Sequence, residues 1–166
     1  MSLRATLERC SVALCLFAFA QAAAGQGVTD AAHDDKISVT LIAEVAAKEP
    51  GGRMQPADRL VPGDQVVYTL EIRNTSTMSR PPPSVDYPVP EHVRYVADSA
   101  VGAGAEVTFS VDGGHTYARP ENLFVTGADG RKRPATVDDY THIRWQLKHI
   151  LKGNSVAFAR FLAVVK

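Results

Sequence analysis

Cysteine is close to absent from this 166-residue chain, and its two copies, Cys10 and Cys15, both fall near the start. Long apolar runs are also lacking. The most hydrophobic stretch, Cys10 to Ala20, is shorter than the roughly 20 apolar residues a stable bilayer-spanning helix requires. No excess of one charge exists either, because 18 basic and 18 acidic residues cancel. That balance removes the electrostatic case for nucleic acid or an anionic membrane surface as partner. Aromatics are sparse, with Trp145 the single tryptophan.

What is present at the N-terminus reads as an export signal. Arg4 and Arg9 give a positive start, the apolar run follows, and Ala20, Ala22, Ala23, Ala24 and Gly25 supply small residues for cleavage. Residues 1–25 are therefore expected to be a signal peptide, with an exported destination, periplasmic or extracellular. Neither cysteine has the small preceding residue of a lipid-attachment site. Cleavage leaves a chain without cysteine, so neither disulfide nor thiolate chemistry is open to it. It also leaves 16 basic and 17 acidic residues, still balanced.

Residues 26–36 are small and polar and are expected to be a flexible leader. Beyond them, apolar residues recur every second position, the signature of strands with one buried face. Ile37, Val39, Leu41 and Ala43 share a face, and this first strand, Ile37 to Val45, is the expected edge strand. Val66, Tyr68, Leu70 and Ile72 point inward after the Pro62-Gly63-Asp64 turn, with Val67, Thr69, Glu71 and Arg73 outward. Asn74-Thr75-Ser76 closes that strand. Pro81-Pro82-Pro83 imposes an extended connection that cannot be a central strand. Further strands are expected around Val93, Tyr95 and Ala97, around Val107, Phe109 and Val111, and at Leu123 to Val125. Ile143, Trp145 and Leu147 mark another, and Ser155 to Val165 the last. This last one is apolar on both faces, with an apparent change of phase near Arg160, so it is expected to be central or bulged. About seven strands punctuated by Pro and Gly turns, and no amphipathic helix of useful length, predict an all-β class: one immunoglobulin-like antiparallel β-sandwich over residues 37–166.

Three stretches taken in order carry a family resemblance. Pro62-Gly63-Asp64-Gln65-Val66-Val67-Tyr68-Thr69-Leu70-Glu71-Ile72-Arg73-Asn74-Thr75 is similar to the signature strand of the bacterial "conserved repeat" domain family (domain of unknown function eleven). Val89-Pro90 and Val93 to Ala100 resemble its second motif. Trp145, the Leu151-Lys152-Gly153-Asn154-Ser155 turn and the apolar stretch Val156 to Val165 resemble its ending. The resemblance implies an immunoglobulin-like module of secreted, envelope or surface proteins. It implies no chemistry, and the single copy here departs from the tandem arrangement common in the family.

Ser110-Val111-Asp112-Gly113-Gly114-His115-Thr116-Tyr117 resembles the Asp-box of sialidase propellers, and its physics is that of a hairpin device in which Asp112 accepts backbone N–H groups. Calcium needs six to eight converging oxygens. Asp34-Asp35, Asp112, Asp129 and Asp138-Asp139 show no spaced loop that would supply them. His33, His92, His115, His142 and His149 share no zinc-ligand spacing. No Gly-x-Ser-x-Gly elbow is present, and no carboxylate spacing suggests a glycosidase dyad. Arg131-Lys132-Arg133 reads as a solvated loop tip. Trp145 reads as a core residue, and Tyr87, Tyr95, Tyr117 and Tyr140 are candidates for an exposed aromatic strip. The expected function is a non-catalytic envelope or extracellular module without cofactor, serving structure, assembly or adhesion through an unidentified protein or cell-surface component. A glycan- or calcium-binding module is the alternative.

Overall fold

The computed structural model describes residues 36–46 and 52–166. Alternation produces strands wherever it was read, and additional ones besides. In chain order they are β1 (Ile37–Val45), β2 (Gln55–Pro56), β3 (Gln65–Asn74), β4 (Ser84–Pro88), β5 (Val93–Tyr95), β6 (Val101–Gly102), β7 (Ala105–Ser110), β8 (Phe124–Thr126), β9 (Lys132–Pro134), β10 (His142–Leu147) and β11 (Val156–Val165). Two single 3-10 turns, Pro120–Asn122 and Val137–Asp139, are the only helical pieces among the described residues, and no helix there is long and apolar enough to cross a membrane.

All pairings are antiparallel. The larger sheet runs β2-β1-β3-β11-β5, with β6 also on β11, and the smaller runs β4-β10-β7. Among the described residues, strands β8 and β9 pair only with each other. The chain changes sheets between β3 and β4, between β4 and β5, between β6 and β7 and between β10 and β11, so it builds an all-β sandwich around one interior. Val66, Tyr68, Leu70 and Ile72 of β3, Ala159, Phe161 and Ala163 of β11, and Val93 and Tyr95 of β5 meet Val85, Phe109, Ile143, Trp145 and Leu147 of the smaller sheet. Rings order this interior: Tyr68 stacks on Phe161 at 4.8 Å between centroids, and Phe109 on Tyr140 at 4.5 Å.

Strand β11 is central, as its two apolar faces predicted. It carries no bulge, however, because its register against β3 is unbroken from Val156 opposite Arg73 to Val164 opposite Gln65. The apparent phase change at Arg160 has a simple cause. Alternating residues Ala157, Ala159, Phe161 and Ala163 face the interior throughout, and the outer face is apolar as well, with Phe158, Leu162 and Val164. Val67 and Thr69 also point outward as expected, yet both are buried. Leu162 flanks Val67 in its row, and Ile42 and Arg160 flank Thr69.

The end of β3 is locked to the β10–β11 connection. Asn74 is fully buried, and its amide nitrogen donates to the carbonyls of Met78 (2.8 Å), Leu151 (3.0 Å) and Lys152 (3.0 Å). Its Oδ1 accepts from the Ser76 N–H and hydroxyl. Gly153 completes the lock, since a methyl group there would stand 2.1 Å from the Thr77 carbonyl oxygen. Only a hydrogen fits, and Gly153→Ala must push two backbone segments apart. We expect a loss of about 1–3 kcal/mol, the range for overpacked interiors, read by urea unfolding.

Candidate functional site

Edges are where a sandwich with saturated interior hydrogen bonds still offers backbone groups. Most edges here are blunted. β5 is three residues long with Arg94 at its centre, β4 follows three prolines and ends in Pro88, and β7 is bridged at Phe109 by Ala118. Strand β1 differs. Nine residues pair with β3 in one register, Ile37 opposite Asn74 through Val45 opposite Val66. On its outer side β2 pairs only with Glu44 and Val45, and Ala43 O accepts from Ala57 N at 3.1 Å. Among the described residues no strand borders Ile37 to Ile42 on that side.

Direction of the free groups follows from the bonds that are made. Lys36 O accepts from Thr75 N and Ala46 N donates to Gln65 O, so even-numbered residues of β1 address β3. Ile37, Val39 and Leu41 therefore aim their N–H and C=O groups outward. Their side chains lie on the interior face of the sheet, but the smaller sheet does not reach that far. Val39 stays 44% exposed and Leu41 40%. Among the described residues the expected edge strand is thus an edge, with an apolar face that is only partly covered. Sequence alternation identified the face and had no means of showing the shortfall of the opposing sheet.

The acidic and basic candidates are engaged by their own loops. Asp112 Oδ1 accepts from Ser110 Oγ (2.7 Å) and Thr116 N (3.0 Å), and Oδ2 from Thr116 Oγ1 (2.6 Å). Gly113 and Gly114 take positive φ, at 76° and 87°, so the box is the hairpin device its chemistry suggested. Asp139 closes a capping box with Thr136 and binds Arg133 through both oxygens at 2.7 and 2.8 Å. Asp138 meets Arg94 at 2.8 Å. The basic run is not a loop tip throughout, because Lys132 and Arg133 belong to β9. Nor does it concentrate charge: Arg131 lies 3.9 Å from Asp129, Lys132 rests over the Phe124 ring, and Arg133 holds Asp139. Asp34, Asp35 and His33 lie outside the described residues. Among those described, no three His, Cys, Asp or Glu residues converge on a common point.

The aromatic strip does not exist. Tyr95 and Tyr140 are interior, Tyr87 is half-buried 5.9 Å from Phe161, and Tyr117 lies beneath the Arg144 guanidinium at 3.7 Å. Tyrosines on four separate segments have no shared parity, which is why sequence could not place them. What occupies the outer face of the smaller sheet is a pairing sequence reading missed. Arg144 Nε and Nη2 donate to Asp86 Oδ1 and Oδ2, both at 2.6 Å, across β10 and β4. Burial and the nearby Asp86 push the Tyr117 hydroxyl up to about 12. Burial lowers His142 below the ordinary histidine range.

Asp112 and Asp139 carry a pH signature. Hydrogen bonds from the Thr116 hydroxyl and N–H hold Asp112 well below the usual carboxylate range, and Arg133 followed by the Thr136 N–H does so for Asp139. A carboxyl depressed in the folded state stabilises fully above its unfolded value of about 4 and loses that contribution as pH falls further. We expect the melting temperature to drop below about pH 4, and the pair Asp112→Asn and Asp139→Asn to flatten that drop in a pH series of thermal melts. An unchanged acid limb would show these turns do not govern it.

No family model, curated protein or solved structure matches the chain.

Proposed function

We propose that this chain is an exported, non-catalytic β-sandwich that works as an interaction module in the bacterial envelope or outside the cell. The observation that carries the reading is the open edge of β1, where Ile37, Val39 and Leu41 present backbone groups beside a half-covered apolar face. An extended partner segment adding there gains a ladder of main-chain bonds and somewhere to bury side chains. Export is supported by the charge and apolar pattern of residues 1–25. The likeness of Pro62 to Thr75, Val93 to Ala100 and Leu151 to Val165 to the "conserved repeat" domain supports the same setting. The non-catalytic part of the reading is supported by the use the chain makes of its carboxylates: Asp86, Asp112, Asp138 and Asp139 are bound to arginines or to their own turns.

The test combines fractionation with cross-linking in place. A photo-reactive residue at Thr40, which is exposed, is expected to give a cross-linked species in the envelope or medium from a processed chain. Val39→Pro, which removes an outward donor, is expected to abolish that species while the circular dichroism melt survives. Recovery of unprocessed chain from the cytosol, or a cross-link indifferent to Val39→Pro, overturns the reading.

A further inference from the structure

We propose that the occupant of the β1 edge is β1 of a second copy, joined about a two-fold axis through Val39 so that two six-stranded layers become one continuous sheet. The inference rests on the interaction-module reading and adds the partner and the register.

Three observations select this geometry. First, the outward backbone groups end where β2 begins, because the Ala43 carbonyl is already taken by Ala57. That leaves Ile37, Val39 and Leu41, a set symmetric about Val39. In antiparallel pairing Val39 faces Val39 of the second copy, and Ile37 faces its Leu41. Each such pair exchanges two N–H···O=C bonds. Second, the facing side chains match. Ile37 against Leu41 and Val39 against Val39 cover on each copy the apolar surface that the smaller sheet leaves exposed. Ser38 meets Thr40 on the other face. Third, the charges agree. Lys36 lies opposite Ile42 of the second copy and diagonal to its Glu44, on one face, within reach of long side chains. Among residues 36–46 no like charges face one another in this register.

Within its own residues the strand lacks the devices that keep an edge solitary. Ile37 to Leu41 contains no lysine, no proline and no bulge, and its register to β3 is uninterrupted. The shorter and proline-flanked edges elsewhere in the molecule show the contrast.

The test uses the purified processed protein, which has no cysteine of its own. Ser38→Cys and Thr40→Cys chains are prepared separately, since both positions are exposed and tolerate the change. In the proposed register these residues form a non-hydrogen-bonded pair with Cα atoms about 4.5 Å apart, within disulfide reach. Mild oxidation of the mixture is expected to give several-fold more covalent dimer than either chain alone. Sedimentation equilibrium of the unmodified protein is expected to show a monomer–dimer equilibrium that Val39→Lys shifts to monomer with its melt retained. Monomer at every concentration, or equal covalent dimer in all three samples, overturns the proposal. A monomer that still yields the Thr40 cross-link in the envelope would reject the second copy while leaving the module reading intact.

Discussion

Trp145→Ala is expected to lower the unfolding free energy by about 3–5 kcal/mol, the range for truncating a large buried aromatic. Trp145 is 0% exposed, sits at the centre of β10 in the middle of the smaller sheet, and packs 6.1 Å from Phe161 on the opposite layer. Truncation empties the point where the two layers meet. Trp145→Phe separates volume from polarity. It keeps an aromatic ring and removes an indole N–H that is buried without a hydrogen-bond partner, so part of the lost packing is offset by a relieved desolvation cost. We expect the Phe variant to lose less than half of what the Ala variant loses. Both are read by urea unfolding followed by far-ultraviolet circular dichroism, since the substitution removes the only tryptophan fluorophore. Equal losses in the two variants would show that the indole nitrogen carries part of the stability.

Asn74→Ala is expected to cost about 3 kcal/mol, a sum over buried carbonyls left without their donor at about 1–3 kcal/mol each, reduced by relaxation. The amide joins Met78 on one side to Leu151 and Lys152 on the other, so its loss releases the turn that feeds β11. Asn74→Asp supplies a sharper check. A carboxylate at this place faces three carbonyl oxygens in a buried setting, which raises its folded-state pKa. Such a group binds its proton more tightly when folded, so stability must fall as pH rises through about 4 toward neutrality. This slope is opposite in sign to that of the depressed Asp112 and Asp139. A flat profile for Asn74→Asp between pH 3 and pH 7 would mean the amide is not held as described.

The strands that were legible in the chain are those whose pattern has one buried face and enough length to show it. β3 and β10 declare themselves in this way, and Trp145 follows from its parity with Ile143 and Leu147. Strands β2, β4, β6 and β9 escaped notice because two to five residues, each of these strands with a Pro or Gly among them, carry no period. Asn74 read as a strand terminator, and its side chain proved to be the joint between segments 77 residues apart. Distance in sequence hides such partners, and it hid the Arg144–Asp86 pair for the same reason. The edge character of β1 was legible from its position after a polar leader. Its half-covered face was not, since that depends on how far another layer extends.

The placement of β11 governs when this protein can become itself. Ala159, Phe161 and Ala163 fill the middle of the larger sheet between β3 and β5, yet they belong to the last strand of the sandwich to leave the ribosome. Until they arrive, β3 and β5 have no neighbour to join them and the hydrophobic centre has no floor. A chain emerging from its N-terminus therefore stays uncommitted until β11 is present, and takes its shape in one late closing step.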